Sequence, residues 1–165
     1  MKLYNGMSPN GFRVDIFLKE KSIEIPTQQI DIMGGETRRD AYLKINPLGE
    51  VPALELDDGR VLTETMAICR YLEVLHPEVP LLGKTAAEQG FIEMWNRQIE
   101  LRVFNVIGDV GLHEFPLFAD KIKQFPDYAA EQRKEFIRRL EWLDNEISDG
   151  VLILLGKVSL WPILL

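Results

Sequence analysis

Asn46-Pro47-Leu48-Gly49-Glu50-Val51-Pro52-Ala53-Leu54, followed ten residues later by Glu64-Thr65, is the stretch on which the reading of this chain turns. Asn-Pro-x-Gly is a turn sequence. The extended segment that leaves it ends in Val-Pro, a strand edge whose backbone donor and acceptor face outward beside a proline. If Val51-Pro52 is cis, the Val51 amide and carbonyl can pair with a peptide laid antiparallel to them. Glu64 and Thr65 then open a helical pattern, Met66-Ala67-Ile68-Cys69-Arg70-Tyr71-Leu72. A helix start presents free N–H groups that hold a carboxylate, and an adjacent glutamate can hold an ammonium. The ligand these groups describe has a peptide backbone, a carboxylate and an amine.

A third element lies upstream, Ser8-Pro9-Asn10-Gly11, just after the first strand. With the three in this order and spacing, the chain resembles the glutathione S-transferase family. That family's N-terminal domain is similar to thioredoxin. It carries an N-P-x-G-x-V-P run, an acidic residue and Ser or Thr at the start of its third helix, and a thiol-activating residue after the first strand. The resemblance covers about residues 1–149 and implies a fold. An α/β thioredoxin-like N-terminal domain is expected over 1–82, and an all-α C-terminal domain, incomplete, over 83–165. It also implies a homodimer that takes glutathione as co-substrate and conjugates its thiolate to a hydrophobic electrophile. Val51 and Pro52 would align the cysteinyl backbone, while Glu64 and Thr65 hold the γ-glutamyl end. Glu50 stands where many members carry a basic or amide residue, so the glycyl carboxylate has no assigned partner.

Ser8 and Asn10 compete for the catalytic role. A free thiol is only slightly ionised at neutral pH. A hydroxyl that donates a hydrogen bond to sulfur favours the thiolate, and a helix N-terminus acts in the same direction. Ser8 precedes Pro9, a residue suited to the first helical position, so both effects can converge there; Ser8 also reads as an ordinary N-cap. Some bacterial members that resemble this chain in a T/S-P-N-G segment contact sulfur through the asparagine amide and lean towards glutathione-dependent disulfide reduction. Asn10 before Gly11 is also plain turn chemistry. The loop has no cysteine, which excludes a C-x-x-C dithiol mechanism. Glu64 and Thr65 likewise have a capping reading, Thr63 or Thr65 with acidic first-turn residues. A non-catalytic glutathione-binding or ligand-binding member is a further alternative.

Composition narrows the classes. A net charge of −7 argues against nucleic acid, whose phosphates call for basic patches. Cys69 is the single cysteine, which fits a reducing, cytoplasmic compartment. Met1-Lys2-Leu3-Tyr4-Asn5-Gly6 lacks the apolar run of a signal peptide, and no segment reaches the roughly 20 apolar residues of a membrane span. His76 and His113 are far apart in sequence and read as solvent-facing loop residues, so no metal spacing exists. Cys69 reads as a small buried hydrophobe. The family resemblance also implies a hydrophobic acceptor site built partly on the first helix of the second domain, with Trp95, Phe104 and Phe115 as candidates to line it.

The patterning predicts strands at Lys2–Asn5, Gln28–Ile32, Pro52–Leu56 and Arg60–Thr63, the last two joined by Asp57-Asp58-Gly59. Helices are predicted at Phe12–Lys21, with Phe12, Ile16 and Phe17 on one face, at Thr37–Lys44 and at Glu64–Leu75. His76-Pro77-Glu78-Val79-Pro80 reads as a linker, with a boundary near Leu82–Lys84. Thr85 to about Val110 and Ala129–Ile147 follow as helices, the latter with Phe136, Leu140, Leu143 and Ile147 on one stripe.

The tail departs from the family. After Gly150 it reads Val-Leu-Ile-Leu-Leu-Gly-Lys-Val-Ser-Leu-Trp-Pro-Ile-Leu-Leu, whereas members continue with a run like R-P-Y-I-A-G-x-x-F-S-V-A-D-I-T. The S-x-x-D box of that run is broken here, because Pro162 follows Ser159 by three. Codon choices exist that spell the family run in another frame. The expectation is a one-base deletion near codon 150 followed by an early stop, leaving apolar helix faces without cover.

Overall fold

A computed structural model describes residues 1–148; the expectations for the tail fall outside the described residues. The chain divides into two compact units, Met1–Leu82 and a second from Gly83 on.

The first unit holds β1 (Lys2–Asn5), α1 (Pro9–Glu20), β2 (Thr27–Gln29), a 3₁₀ turn (Glu36–Arg38), α2 (Asp40–Leu43), β3 (Ala53–Glu55), β4 (Val61–Leu62) and α3 (Thr65–Leu75). The strands form one mixed sheet in the order β2-β1-β3-β4. β1 runs parallel to β2, with Leu3 opposite Thr27, and antiparallel to β3, with Leu3 opposite Leu54 and Tyr4 opposite Ala53. Side chains alternate across a strand, so Tyr4 and Ala53 share one face with Ile30 and with Tyr42 of α2. Leu3 and Leu54 turn to the other face, where α1 and α3 pack together and Val14, Phe17, Ile68 and Leu72 are fully buried. This is the thioredoxin-like arrangement that the motifs imply.

Three local expectations change. Phe12 is 48% exposed, and the buried stripe of α1 is instead Arg13, Val14, Phe17 and Leu18. The helix begins at Pro9, capped by Ser8, and packs its Val14–Phe17–Leu18 side inwards. The expected helix Thr37–Lys44 is split because Arg39 adopts an extended backbone (φ −80°, ψ 147°). The predicted strand Gln28–Ile32 shortens to Thr27–Gln29, an exposed edge. Its far end is drawn into a turn where Gly34 N–H donates to Asp31 Oδ1 and Asp31 N–H to Glu36 Oε2, each at 2.8 Å.

Lys21 ties the end of α1 to α3 and to the segment beyond it. Its Nζ lies 2.6 Å from Glu73 Oε2 and donates to the Val79 carbonyl at 2.6 Å, while Glu73 Oε1 accepts the Leu82 amide at 2.8 Å.

The second unit is helical in its described residues: α4 (Ala86–Ile99), a π-helical turn (Glu100–Phe104), α5 (Asn105–Glu114), a 3₁₀ turn (Pro116–Phe118) and α6 (Pro126–Ser148). Thr85 and Glu88 start α4 with a reciprocal capping box. Trp95, Ile99 and Leu143 form its core, and Trp95 stacks on Trp142 with centroids 5.7 Å apart. Trp95 is 3% exposed, so it packs the core and lines no acceptor site. On the predicted stripe of α6 only Leu143 is buried; Leu140 and Ile147 are 38% and 39% exposed.

Candidate functional site

The site is built where β1 hands over to α1. The Asn5 side chain is buried at that junction. Its Oδ1 accepts the Gly6 amide at 2.9 Å, and its Nδ2 donates to the Gly11 carbonyl at 3.2 Å and to Asp15 Oδ1 at 2.8 Å. One amide thus holds both ends of the loop that carries Ser8. A Cβ on Gly11 would overlap the Gly6 carbonyl oxygen and lie 2.6 Å from Asn5 Oδ1, so only glycine permits this approach. Ser8 caps α1, its Oγ accepting the Gly11 amide at 3.0 Å. That bond uses an oxygen lone pair and leaves the hydroxyl proton for a further acceptor. Asn10, the second residue of α1, is exposed.

The Asn46–Pro52 segment is braced from behind. Tyr42 Oη and Asn46 Nδ2 both donate to the Glu50 carbonyl, at 2.7 and 2.8 Å, and Asn46 Oδ1 accepts the Leu48 amide at 3.1 Å. Burial, and secondarily the neighbouring Tyr4, pushes the Tyr42 phenol up to about 12, which keeps it a hydrogen-bond donor. Gly49 turns the chain with φ +66°. Arg38 Nη1 donates to the Leu48 carbonyl at 3.0 Å. The Val51–Pro52 bond is cis. Because Tyr4 faces Ala53 in the sheet, Val51 and Pro52 run beside the chain that leaves β1 towards Ser8.

Glu64 and Thr65 occupy the start of α3. Glu64 is exposed and has φ +65°, a left-handed conformation that a non-glycine residue adopts at a cost. No side-chain hydrogen bond caps α3, so the capping reading of these residues does not describe them. Thr65 is buried, and its Oγ1 accepts from Arg13 Nη1 at 2.8 Å. This bond joins α1 to the first turn of α3 and leaves the Thr65 hydroxyl proton free to donate. The sheet register and the Arg13–Thr65 bond between them link the three motifs within one unit.

The first turns of α1 and α3 contain no acidic residue, whereas Glu88 and Asp127 occupy those of α4 and α6. Helix starts ordinarily recruit a carboxylate to meet their positive end. Glu64 stands one residue before α3.

Asn5, Arg13 and Tyr42 were not singled out by sequence. Arg13 had a signal, a charge interrupting the apolar stripe of α1. Cys69 is fully buried, and burial pushes its thiol up to about 12, which removes it as a nucleophile. The histidines depart from expectation: His113 lies in the last turn of α5, half-buried edge-on against Phe125 and Tyr128. His76 is half-buried at the end of α3. Phe115 is 53% exposed and Phe104 half-buried.

Residues 7–75 match the family described as glutathione S-transferase, N-terminal domain. The chain is 30% identical over 145 residues to glutathione S-transferase 2 of Saccharomyces cerevisiae, covering 86% of this chain and 62% of that protein. It is 39% identical over 97 residues to maleylacetoacetate isomerase of Pseudomonas aeruginosa, covering 54% of this chain and 46% of that one. The chain therefore spans less than two thirds of these curated relatives. The structure of a glutathione S-transferase domain-containing protein from Marinobacter aquaeolei superposes with a TM-score of 0.82 at 31% identity, covering 90% of this chain and 75% of that one.

Proposed function

The chain belongs to the glutathione S-transferase family, and from that premise we propose that it binds glutathione and transfers its thiolate to a hydrophobic electrophile. The observation that carries this reading is the pair of helix starts without first-turn acids. The α1 start, with the Ser8 hydroxyl, takes the thiolate. The α3 start, with Thr65, takes the γ-glutamyl carboxylate, and Glu64 takes its ammonium. Val51 pairs with the cysteinyl backbone and Pro52 shapes the edge; among the described residues none hydrogen-bonds the Val51 amide or carbonyl. The thiol proton leaves to solvent once the N-terminal field of α1 and the Ser8 hydrogen bond stabilise the anion. In the proposal the enzyme is a cytoplasmic homodimer, and the buried, reduced Cys69 accords with that compartment.

A second reading is glutathione-dependent disulfide reduction. The exposed Asn10 amide beside Ser8 favours it. Turnover of 1-chloro-2,4-dinitrobenzene against that of a glutathione mixed disulfide separates the two. In the transferase reading Ser8→Ala lowers aryl-halide turnover about 10²-fold, the range of one lost anion-stabilising donor, and leaves glutathione affinity nearly intact. Undiminished turnover in both Ser8→Ala and Asn10→Ala, with glutathione still bound, would leave only a binding role.

A further inference from the structure

Asp15 lies in the interior of α1, one turn beyond Gly11, and is half-buried. Aspartate is a weak helix former in such a position, and a half-buried carboxylate gives up part of its hydration. Its Oδ1 accepts from Asn5 Nδ2 at 2.8 Å. Among the described residues this is the shortest of the three bonds that the Asn5 amide makes, and the one whose partner is a carboxylate.

An ionised carboxylate accepts hydrogen bonds and donates none, and such bonds are of the stronger, charge-assisted kind. Asp15 therefore takes Nδ2 and turns Oδ1 away, which orients the whole amide. With Nδ2 also donating to the Gly11 carbonyl at 3.2 Å, Oδ1 is left facing the Gly6 amide at 2.9 Å. A reversed amide would set its oxygen against two acceptors and its nitrogen against the Gly6 N–H. Asn5 is 1% exposed, so bulk solvent does not make good a bond lost there. The orientation reaches Ser8 through Gly11, which gives its carbonyl to Asn5 and its N–H to Ser8 Oγ at 3.0 Å.

We propose that Asp15 is a positioning residue: by fixing the Asn5 amide it holds the Ser8 hydroxyl where a glutathione thiolate meets it. This role rests on the glutathione reading and adds to it a residue that touches no substrate. The expected signature is a split. Without Asp15 the thiolate loses stabilisation, while Val51, Glu64 and Thr65 keep their hold on the rest of the tripeptide.

The test compares the wild-type chain with Asp15→Ala and Asp15→Asn. Alanine removes the acceptor and is the better helix former, so a deficit is not one of helix propensity. Asparagine keeps an acceptor oxygen and drops the charge. Three readouts are taken at one pH: the ultraviolet absorbance of the bound glutathione thiolate, turnover of 1-chloro-2,4-dinitrobenzene, and calorimetric affinity for S-methylglutathione, which has no thiol to ionise. Asp15→Ala is expected to lose thiolate absorbance and to lower turnover about tenfold or more, with S-methylglutathione affinity unchanged. Asp15→Asn is expected to restore most of both deficits. In an Asn5→Ala background Asp15→Ala should add nothing further. Full thiolate absorbance and turnover in Asp15→Ala overturn the inference. So does a parallel loss of S-methylglutathione affinity, a deficit that Asp15→Asn shares in full, or one that persists in the Asn5→Ala background. A wild-type chain that binds neither glutathione nor S-methylglutathione overturns the reading beneath, and the inference with it. Should Asp15→Ala fail to fold, Asp15→Ser, whose oxygen stops one atom short, is judged by the same outcomes.

Discussion

Replacing Glu73 with leucine leaves a lysine ammonium inside the protein with no charge to balance it. The Lys21 side chain is fully buried and Glu73 is 14% exposed, with 2.6 Å between Nζ and Oε2. At that distance and an effective dielectric constant of about 20, the attraction is roughly 6 kcal/mol. Desolvating each ion costs several kcal/mol, so the intact pair adds little net stability. Glu73→Leu deletes the attraction and keeps the lysine's penalty, a loss of about 3–5 kcal/mol from a total usually near 5–15 kcal/mol. It also frees the Leu82 amide. Lys21→Met is milder, since Glu73 touches solvent and keeps its bond to Leu82. The double variant removes both charges and recovers most of the loss. Urea unfolding followed by far-UV circular dichroism measures the four stabilities. A Glu73→Leu cost below about 1 kcal/mol, the value of an exposed pair, refutes this account. So does a double variant as unstable as the sum of the singles.

Other outcomes follow from single residues. Gly11→Ala forces a Cβ against the Gly6 carbonyl and should cost about 1–3 kcal/mol with loss of glutathione binding. Gly90→Ala, in α4 with nothing within 4 Å, should instead gain roughly 0.5–1 kcal/mol; thermal melts of both variants check the contrast. Arg13→Met removes the donor to Thr65 and should weaken glutathione about tenfold with a cooperative melt retained; unchanged affinity by calorimetry would show that Thr65 needs no such support. The Cys69 thiol is raised from 9.0 to about 12 in the fold. Its contribution to stability is whole below pH 9 and is lost as pH climbs from 9 towards 12, because the unfolded chain releases that proton first. The midpoint in urea should therefore fall over that interval, and Cys69→Ala should flatten the slope. Native Cys69 should also resist iodoacetamide until urea is added.

The motifs were legible because their physics is local. Ser8 before Pro9 sets a cap, Asn46-Pro47-Leu48-Gly49 sets a turn, and Glu64-Thr65 begins an apolar period. What escaped depends on partners distant in sequence. Asn5 meets Asp15, and Arg13 reaches Thr65 across 52 residues. The buried side of α1 is set by Arg13, Val14, Phe17 and Leu18, a choice made by the packing of α3 and the sheet rather than by local pattern. For Trp95 and His113 the deciding partners lie on and just before α6: Trp95 stacks on Trp142, and His113 meets Phe125 and Tyr128.

The π-helical turn at Glu100–Phe104 carries a consequence of its own. There the Asn105 amide reaches back five residues to the Glu100 carbonyl. Adding one residue to an α-helix normally swings everything downstream by about 100° and strips the buried stripe from its partner. A wider turn absorbs the extra residue and returns the stripe to phase. Trp95 and Ile99 before the turn and Val110 after it are all buried. The turn is thus a seam at which the chain can change length by one residue while both flanks keep their neighbours.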